Sequence, residues 1–283
     1  MAIEPVREWP ELRRPFLVVA LQGWVDAGSS GQLASAALRG GWDMKRIALY
    51  DSDEFVDYQH RRPRIQLDED GRRRVAWQEI ELLAGDAGRR DALLLTGPEP
   101  ARNWRTFIDE TVALCQRFHV EQVFNLGGLP AAVPHTQPVP VAGTATTAEL
   151  TEKFDRLLGS YEGPTGTQTA LQVGMGDAGI AACTLWAQVP HYLSAMVWPG
   201  GALALLARLG ADTNTLPPIN DLVRADNERR AQVDAAVTER PDVQELVRAL
   251  EGGDIVEDIP SGDDLAAEIE RFLAQESGGE SSD

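Results

Sequence analysis

Hydrophobic and polar positions divide the chain into short apolar runs and longer segments with helical spacing. The run FLVVALQ at Phe16–Gln22 is apolar, rich in β-branched residues and followed by a glycine, which predicts a buried strand. The next segment, SSGQLASAALRG, begins with small polar residues and ends at Gly40, which predicts a helix capped by Ser29 or Ser30. The chain therefore opens with a predicted strand, a small-residue turn and a helix.

The same alternation continues towards the C-terminus. Further buried strands are predicted by the runs MKRIALYD, RDALLLTGPEP, VEQVFNLGGLP and IAACTLWAQV, and a hairpin is predicted by the two alternating runs of PRIQLDEDGRRRVAWQEIEL. Helices are predicted by ARNWRTFIDETVALCQRF, TAELTEKFDRLLG, TGTQTALQVGMGDAG, PGGALALLARLG and the charged residues 219–250. In TAELTEKFDRLLG, Thr146 or Thr147 is well placed to cap the helix.

Strands that alternate with helices of about 10–15 residues predict an α/β fold, in which helices cover both faces of a mostly parallel sheet. We expect an α/β domain at residues 1–214 and an acidic helical region at residues 215–274 that packs on it. Residues 275–283, ESGGESSD with the preceding glutamine, have little to bury and are expected to be disordered.

Composition and charge limit the kinds of partner. The 283 residues are 43% hydrophobic and carry a net charge of −18, which disfavours nucleic acid and anionic membranes as partners. Residues 241–283 alone contain thirteen Asp or Glu residues and two Arg residues. No signal-peptide pattern or membrane-length apolar run is present, and the two cysteines indicate no disulfide or thiolate metal site. We therefore expect a cytoplasmic protein without a metal or cofactor.

One segment matches the spacing of a dinucleotide-binding loop. The sequence GMGDAG at residues 174–179 fits G-x-G-x-x-G, a motif that requires a strand before it and a helix after it. Here the helical run TQTALQ precedes the glycines and an apolar strand follows them. The reversed order indicates that these glycines end a helix.

The turn after the first strand is a candidate binding site. Its candidate residues are Gly23, Trp24, Asp26, Gly28, Ser29 and Ser30. Free N–H groups at a helix start beyond a parallel strand could bind an anion, although the turn lacks Lys and Arg and Asp26 would repel one. Alternatively, the glycines form the turn and a serine caps the helix. An exposed indole at Trp24 would indicate a contact surface for a protein.

Two histidines follow predicted parallel strands and are expected at the same edge of the sheet. His135 follows VFNLGGLP, and His191 follows CTLWAQVP. Together with Asp26 they could form an acid–base site. The alternative is that each imidazole bonds a neighbouring carbonyl group.

A cluster of arginines brackets the DEDG turn of the predicted hairpin. Its members are Arg61, Arg62, Arg64, Arg72, Arg73 and Arg74. The cluster could dock an acidic partner such as the chain's own tail. The alternative is a solvated hairpin whose charge is partly offset by the turn's own acidic residues.

Several blocks in fixed order resemble a known family. GWVDAGSS, LYDSDEFVDYQHRRPRIQL, LLLTGPEP, GGLPAAVPHTQPVPVAGTAT, AGIAACTLWAQVPHYL and PPINDLVRADNERRAQVDAAVTERPDVQELVRALE resemble the second type of proteasome assembly chaperone family, in its bacterial branch. The resemblance covers about residues 14–251. It implies a three-layer α/β/α fold like that of nucleoside phosphorylases and peptidyl-tRNA hydrolases.

The resemblance also implies a type of partner. Eukaryotic and archaeal members of such families bind proteasome α-subunits, often through a C-terminal hydrophobic–Tyr–any-residue tail. This chain ends in SSD, so docking through that tail is not expected.

Two functions follow from the sequence. The first is a protein-binding or assembly-chaperone-like adaptor, with a proteasome-related complex as one candidate partner and a homodimer or homotrimer as the expected assembly. The second is a small-molecule enzyme or ligand-binding protein of the phosphorylase or hydrolase type, with a site formed by the Gly23–Ser30 turn, His135 and His191.

Overall fold

The computed structural model describes residues 3–152 and 162–253. The strands in these ranges are β1 (Ile3–Pro5), β2 (Phe16–Gln22), β3 (Lys45–Tyr50), β4 (Arg64–Leu67), β5 (Arg73–Ala76), β6 (Glu81–Asp86), β7 (Asp91–Pro98), β8 (Val123–Ala131), β9 (Val141–Ala145) and β10 (Ala182–Pro190). The helices are α1 (Ser30–Gly41), α2 (Ser52–Phe55), α3 (Trp104–Arg117), α4 (Ala148–Thr151), α5 (Thr167–Asp177), α6 (Pro199–Thr213), α7 (Asn220–Thr238) and α8 (Pro241–Gly252).

Eight strands form one mixed sheet in the order β1-β3-β6-β7-β2-β8-β10-β9. The four strands β7, β2, β8 and β10 pair in parallel at its centre. The outer pairs β1–β3, β3–β6, β6–β7 and β9–β10 are antiparallel, so β3 runs in the same direction as the central strands. The predicted mostly parallel α/β sheet is confirmed, and its carboxyl edge collects the ends of β2, β7, β8 and β10.

Helices cover both faces of this sheet. Along β2, Phe16 and Val18 pack into the core beneath α1 and α6, whereas Leu17 and Val19 pack into the core beneath α3 and α5. Because both faces are covered, the strand has no polar face, and this explains its unbroken apolar run. The arrangement confirms the three-layer α/β/α architecture.

The last two helices extend the layer that contains α6. Val233 on α7 and Val243 on α8 are buried in the same core as Leu205 on α6. Thus the described part of the acidic C-terminal region packs on the α/β body. The predicted boundary at residue 214 stays a prediction, and the predicted tail lies outside the described residues.

Some predicted boundaries differ from the structure. The predicted hairpin forms from β4 and β5, but its second run divides at residues 77–80, and β6 joins the main sheet. Strands β1 and β9 were not predicted. Thr147 caps α4 by accepting a hydrogen bond from the Leu150 N–H, and residues 153–161 of the helix predicted there lie outside the described residues.

The GMGDAG segment at residues 174–179 lies between a helix and a strand, as its sequence context predicts. Helix α5 contains Gly174 and Gly176, Gly179 has φ = +74° just beyond the helix, and β10 begins three residues later. The order is helix then strand, which confirms that the glycines end a helix. Across the described ranges, every helix is too short or too polar to span a membrane.

Candidate functional site at the carboxyl edge of the sheet

The start of α1 is capped by a carboxylate. Asp26 Oδ1 accepts a hydrogen bond of 2.6 Å from the Gly31 N–H, and Asp26 Oδ2 accepts one of 3.2 Å from the Gln32 N–H. Ser29 lies at the N-cap position, as predicted, but the capping hydrogen bonds are accepted by Asp26 and not by a serine side chain. Ser29 has φ = +52° and makes no capping hydrogen bond, and the buried Ser30 hydroxyl donates to the carbonyl of Ala27 instead.

The cap also decides the electrostatics of the turn. Burial raises the pKa of Asp26, and the hydrogen bonds from Gly31 and Gln32 act in the opposite direction because they stabilise the carboxylate. The backbone N–H groups of Gly31 and Gln32, at the helix start where an external anion could bind, are thus bonded to a carboxylate of the same chain.

Gly28 joins the turn to the segment after β10. Its N–H donates to the Ser194 carbonyl at 2.9 Å, and its carbonyl accepts from the Trp198 N–H at 2.9 Å. Gly28 has φ = +66°, and a Cβ atom there would lie 2.8 Å from the Trp198 Cβ atom. Glycine is required here because the turn needs a left-handed residue and the two segments approach closely.

Glu99, which sequence reasoning missed, joins three segments of the same edge. One carboxylate oxygen accepts from the Trp24 N–H at 3.1 Å, and the other accepts from the Thr167 N–H at 2.7 Å. A Cβ atom at Gly23 would meet that carboxylate at 2.1 Å. The available sequence signal was an acidic residue directly after the glycine–proline end of a predicted strand.

Trp24 lies in this tightly bonded turn, yet its side chain faces solvent. The residue is 67% exposed, whereas Ser30 in the same turn is fully buried. Its backbone is held by Glu99, so the large apolar ring is presented from a fixed position.

His135 is the centre of a chain of hydrogen bonds that runs from the buried Tyr192 to Asp234 at the surface. Its backbone N–H donates to the Tyr192 hydroxyl at 2.9 Å, and that oxygen lies 2.7 Å from His135 Nδ1. His135 Nε2 lies 3.0 Å from Oδ1 of Asp234 on α7. His135 itself is only 2% exposed.

These contacts assign the protons on the ring. Because the Asp234 carboxylate can only accept, the ring hydrogen lies on Nε2 and is donated to Asp234, and Nδ1 accepts from the Tyr192 hydroxyl. Burial lowers the pKa of His135, and the Asp234 carboxylate partly opposes this shift. Both nitrogens of the ring are therefore engaged, and burial disfavours its charged form.

Arg230 extends the connection between α7 and the edge of the sheet. Its guanidinium donates to the His135 carbonyl, bonds Asp226 at 2.8 Å, and lies over the Trp198 ring at 5.2 Å from its centroid. Together with Asp234, this side chain fastens α7 to the segments that follow β8 and β10.

His191 lies beside this chain but does not join it. Its ring contacts the Tyr192 ring edge to face, with centroids 5.3 Å apart. Both ring nitrogens are buried without a hydrogen-bond partner among the described residues. Burial lowers the pKa of His191, and the nearby backbone of Ala131 acts weakly in the opposite direction.

The structure thus places all the predicted site residues along one edge but gives them different roles. Tyr192 lies between the two histidines. Asp26 is bonded to α1, and His135 is bonded to Tyr192 and α7. The side chain left open to solvent in the opening turn is the Trp24 indole.

Fold and edge together define a three-layer α/β/α protein whose carboxyl edge is cross-linked by internal polar contacts and presents an aromatic ring to solvent. A model of the PAC2 family matches residues 20–237. The chain belongs to the PAC2 family, which confirms the resemblance predicted from its sequence.

Solved structures of bacterial proteins agree with this assignment. A proteasome-assembly chaperone homologue from Mycobacterium tuberculosis is 35% identical with a TM-score of 0.75, and the alignment covers 82% of this chain and 99% of that one. A PAC2 family protein from Streptomyces avermitilis gives the same identity, coverage and TM-score.

A more distant likeness supports the fold alone. An archaeal proteasome activator from Pyrococcus furiosus is 16% identical, with a TM-score of 0.65 over 83% of this chain and 97% of that one. A comparison with curated proteins found no match.

Proposed function

We propose that this chain is a protein-binding, assembly-chaperone-like adaptor that contacts its partner through the edge carrying Trp24. Membership of the PAC2 family supports this role, as does the 35% identity to a proteasome-assembly chaperone homologue. Proteasome subunits are accordingly the candidate partner. A homodimer or homotrimer and a cytoplasmic location stay predictions from the sequence.

The observation that carries the proposal is the exposure of Trp24 within a turn held by the hydrogen bonds of Glu99 and Asp26. Aromatic residues of this kind supply much of the binding energy of protein interfaces, because they bury a large area with little loss of conformational freedom. Glu99 holds the Trp24 backbone and Asp26 caps the following helix, so the backbone that carries the ring requires little ordering when a partner binds.

The alternative of a small-molecule enzyme has weaker support. An acid–base site needs groups that can reach a substrate. The Asp26 carboxylate accepts two backbone hydrogen bonds, and both nitrogens of His135 are engaged by Tyr192 and Asp234. These contacts favour a role in the architecture of the edge.

A photocrosslinking experiment tests the proposal. A photoreactive phenylalanine analogue is placed at position 24 of the full chain, and purified proteasome α- and β-subunits of the same organism are added. The matched control carries the analogue at Val173, which is 57% exposed on α5. We expect a crosslink to a subunit from position 24 and none from position 173.

A functional readout accompanies the crosslink. Native gels should show faster formation of subunit assemblies with the unmodified chain than without it, and Trp24→Ala should remove the effect without changing the melting temperature. The proposal is wrong if position 24 yields no crosslink, if both positions yield equal amounts, or if Trp24→Ala keeps full effect.

A further inference from the structure

The β4–β5 hairpin stands apart from the main sheet, and every residue of its two strands except Ala76 is exposed. Ile65 pairs with Val75, and Leu67 pairs with Arg73, so these side chains project from the same face. Trp77 continues the alternation one residue beyond β5, and its ring contacts the Tyr58 ring edge to face with centroids 5.0 Å apart. We call Ile65, Leu67, Val75 and Trp77 the hairpin face, and each is between 44% and 69% exposed.

An open face of this kind indicates a binding surface. A two-stranded hairpin is at best marginally stable in water without a covering element. Four large apolar residues gathered on one face differ from the single apolar residues that are scattered over ordinary protein surfaces. Covering them would remove apolar area from water and would stabilise the hairpin.

The charge around this face is opposite to that of the chain as a whole. Residues 61–74 contain six Arg and three Asp or Glu residues, whereas the full chain carries −18. Arg74 pairs with Asp68, and Arg61 donates to the Gln22 carbonyl. The remaining arginines have no ion pair within residues 3–152 and 162–253; they are Arg62, Arg64, Arg72 and Arg73.

The chain itself contains a segment of complementary chemistry. Residues 254–283 carry ten Asp or Glu residues and one Arg. Within them, DDLAAEIERFLAQ at residues 263–275 spaces apolar residues at intervals of four, three and one: Leu265, Ile269, Phe272 and Leu273. This is the spacing of an amphipathic segment with one apolar stripe and acidic flanks.

We propose that residues 263–275 dock on the hairpin face of the same chain, with the apolar stripe on Ile65, Leu67, Val75 and Trp77 and the acidic flanks near the arginines. This inference is independent of the proposed partner at Trp24. It gives the arginine cluster a binding partner, which the contacts at the carboxyl edge do not provide.

The chain can reach the hairpin from the end of α8. Glu251 on α8 accepts a hydrogen bond from Thr136, which follows β8 at the carboxyl edge. Arg61, at the base of the hairpin, bonds the Gln22 carbonyl at the end of β2, the strand next to β8. Both anchor points therefore follow neighbouring strands at the carboxyl edge of the sheet.

The connecting segment is long. Leu265 is the twelfth residue after Gly253, and twelve residues span roughly 40 Å when fully extended. This length favours the segment of the same chain as the occupant.

Disulfide trapping in the full chain tests the proposal. The test pair is Leu67→Cys with Ile269→Cys. The control pair is Val173→Cys with Ile269→Cys, and Val173 lies on α5, which covers the face of the sheet opposite α1 and α6. The native Cys115 and Cys183 are buried and do not compete. We expect an intramolecular disulfide at least about tenfold faster in the first pair, because docking raises the effective concentration.

Charge reversal and salt provide a second arm. Arg72→Glu with Arg73→Glu, or high salt, should slow the trapping of Leu67→Cys with Ile269→Cys, because the attraction between exposed charges is screened or reversed. Equal rates for the two cysteine pairs would overturn the proposal. A disulfide between two chains would also overturn it and would identify a second copy as the occupant.

Hydrogen exchange tests the docking without added cysteines, which could themselves weaken it. In the full chain without added cysteines, Ile269→Asp with Phe272→Asp should increase exchange in residues 62–77 and leave α5 unchanged. If exchange in residues 62–77 does not change, the hairpin face is not covered by this segment.

Discussion

His135 Nε2 lies 3.0 Å from Oδ1 of Asp234, although 99 residues separate the two along the chain. The contact joins the loop after β8 to α7, and the Tyr192 hydroxyl holds the other side of the same ring. One imidazole therefore connects the carboxyl edge of the sheet to the C-terminal helical layer.

The first prediction concerns the centre of this chain of contacts. Tyr192→Phe should lower the free energy of unfolding by about 1–3 kcal/mol, because the buried His135 N–H and Nδ1 lose their shared partner. Asp234→Ala should cost less, about 1 kcal/mol or below, since Asp234 is largely exposed. Urea unfolding followed by circular dichroism measures both.

Asp221→Ala supplies the control for Asp234→Ala on the same helix. Asp221 pairs with Arg224 at the surface, and exposed pairs of this kind contribute about 0–1 kcal/mol. A Tyr192→Phe variant as stable as the parent chain would contradict the assigned hydrogen bonds.

Acidification should destabilise the fold through the two edge histidines. Burial lowers the folded-state pKa of His135 and of His191 below the ordinary value of 6.5. Between the lowered pKa of the folded state and the ordinary pKa of the unfolded chain, the unfolded chain binds more protons than the folded chain. The free energy of unfolding therefore falls as the pH drops below about 6.5. Each histidine can contribute a slope of up to about 1.4 kcal/mol per pH unit.

Urea unfolding at pH 7.5, 6.5 and 5.5 measures this slope. His135→Gln and His191→Gln should each reduce it, and the double variant should reduce it most. Tyr192, Asp234, Arg230 and Glu251 surround His135 and remain unchanged in these variants. A slope that is equal in the parent and in both variants would exclude the histidines as its source.

The cap of α1 should depend on the oxygen atoms of Asp26 more than on its charge. Asp26→Ala removes the acceptor for the Gly31 and Gln32 N–H groups and should cost about 1–2 kcal/mol. Asp26→Asn keeps one oxygen and removes a charge that burial disfavours, so its stability should stay within about 1 kcal/mol of the parent chain.

The contribution of Asp26 to the pH dependence of stability has the opposite sign to that of the histidines. Burial raises the pKa of Asp26 above its ordinary value of 3.8. Its stabilising contribution is therefore present at low pH and declines as the pH rises through the raised pKa. Thermal melts of the parent chain and of Asp26→Asn at pH 3.5–7 isolate this contribution, because the histidines contribute equally to both. The stability of the parent chain relative to Asp26→Asn should fall as the pH rises, and a difference that does not change with pH would contradict the prediction.

Two glycines of α1 should respond in opposite directions to alanine. A Cβ atom at Gly31 would lie 2.7 Å from the backbone oxygen of Leu126 on β8, so Gly31→Ala should cost about 1–3 kcal/mol through overpacking. A Cβ atom at Gly40 would meet nothing within 4 Å, so Gly40→Ala should stabilise the helix by about 0.5–1 kcal/mol. Melting temperatures of the two variants decide this, and shifts of the same sign would refute the close packing of α1 on β8.

The local pattern of the sequence determined most elements of this fold. The apolar runs of β2, β7, β8 and β10 and the helical spacing of α1, α3, α5 and α6 can be recognised without knowledge of any distant residue. Local periodicity reports burial on one or both faces of an element, and this is sufficient to predict an α/β/α architecture.

Tertiary structure alone decided how the elements meet. Strand β3 follows α1 but lies three positions from β2 in the sheet, because β7 and β6 pair between them. Asp26 supplies the capping side chain of α1 although Ser29 holds the N-cap position, Glu99 joins Trp24 to α5, and Asp234 completes the contacts of His135. These partners are set by which ends converge on one edge of the sheet, and the periodicity of a single segment carries no information about a carboxylate many residues away.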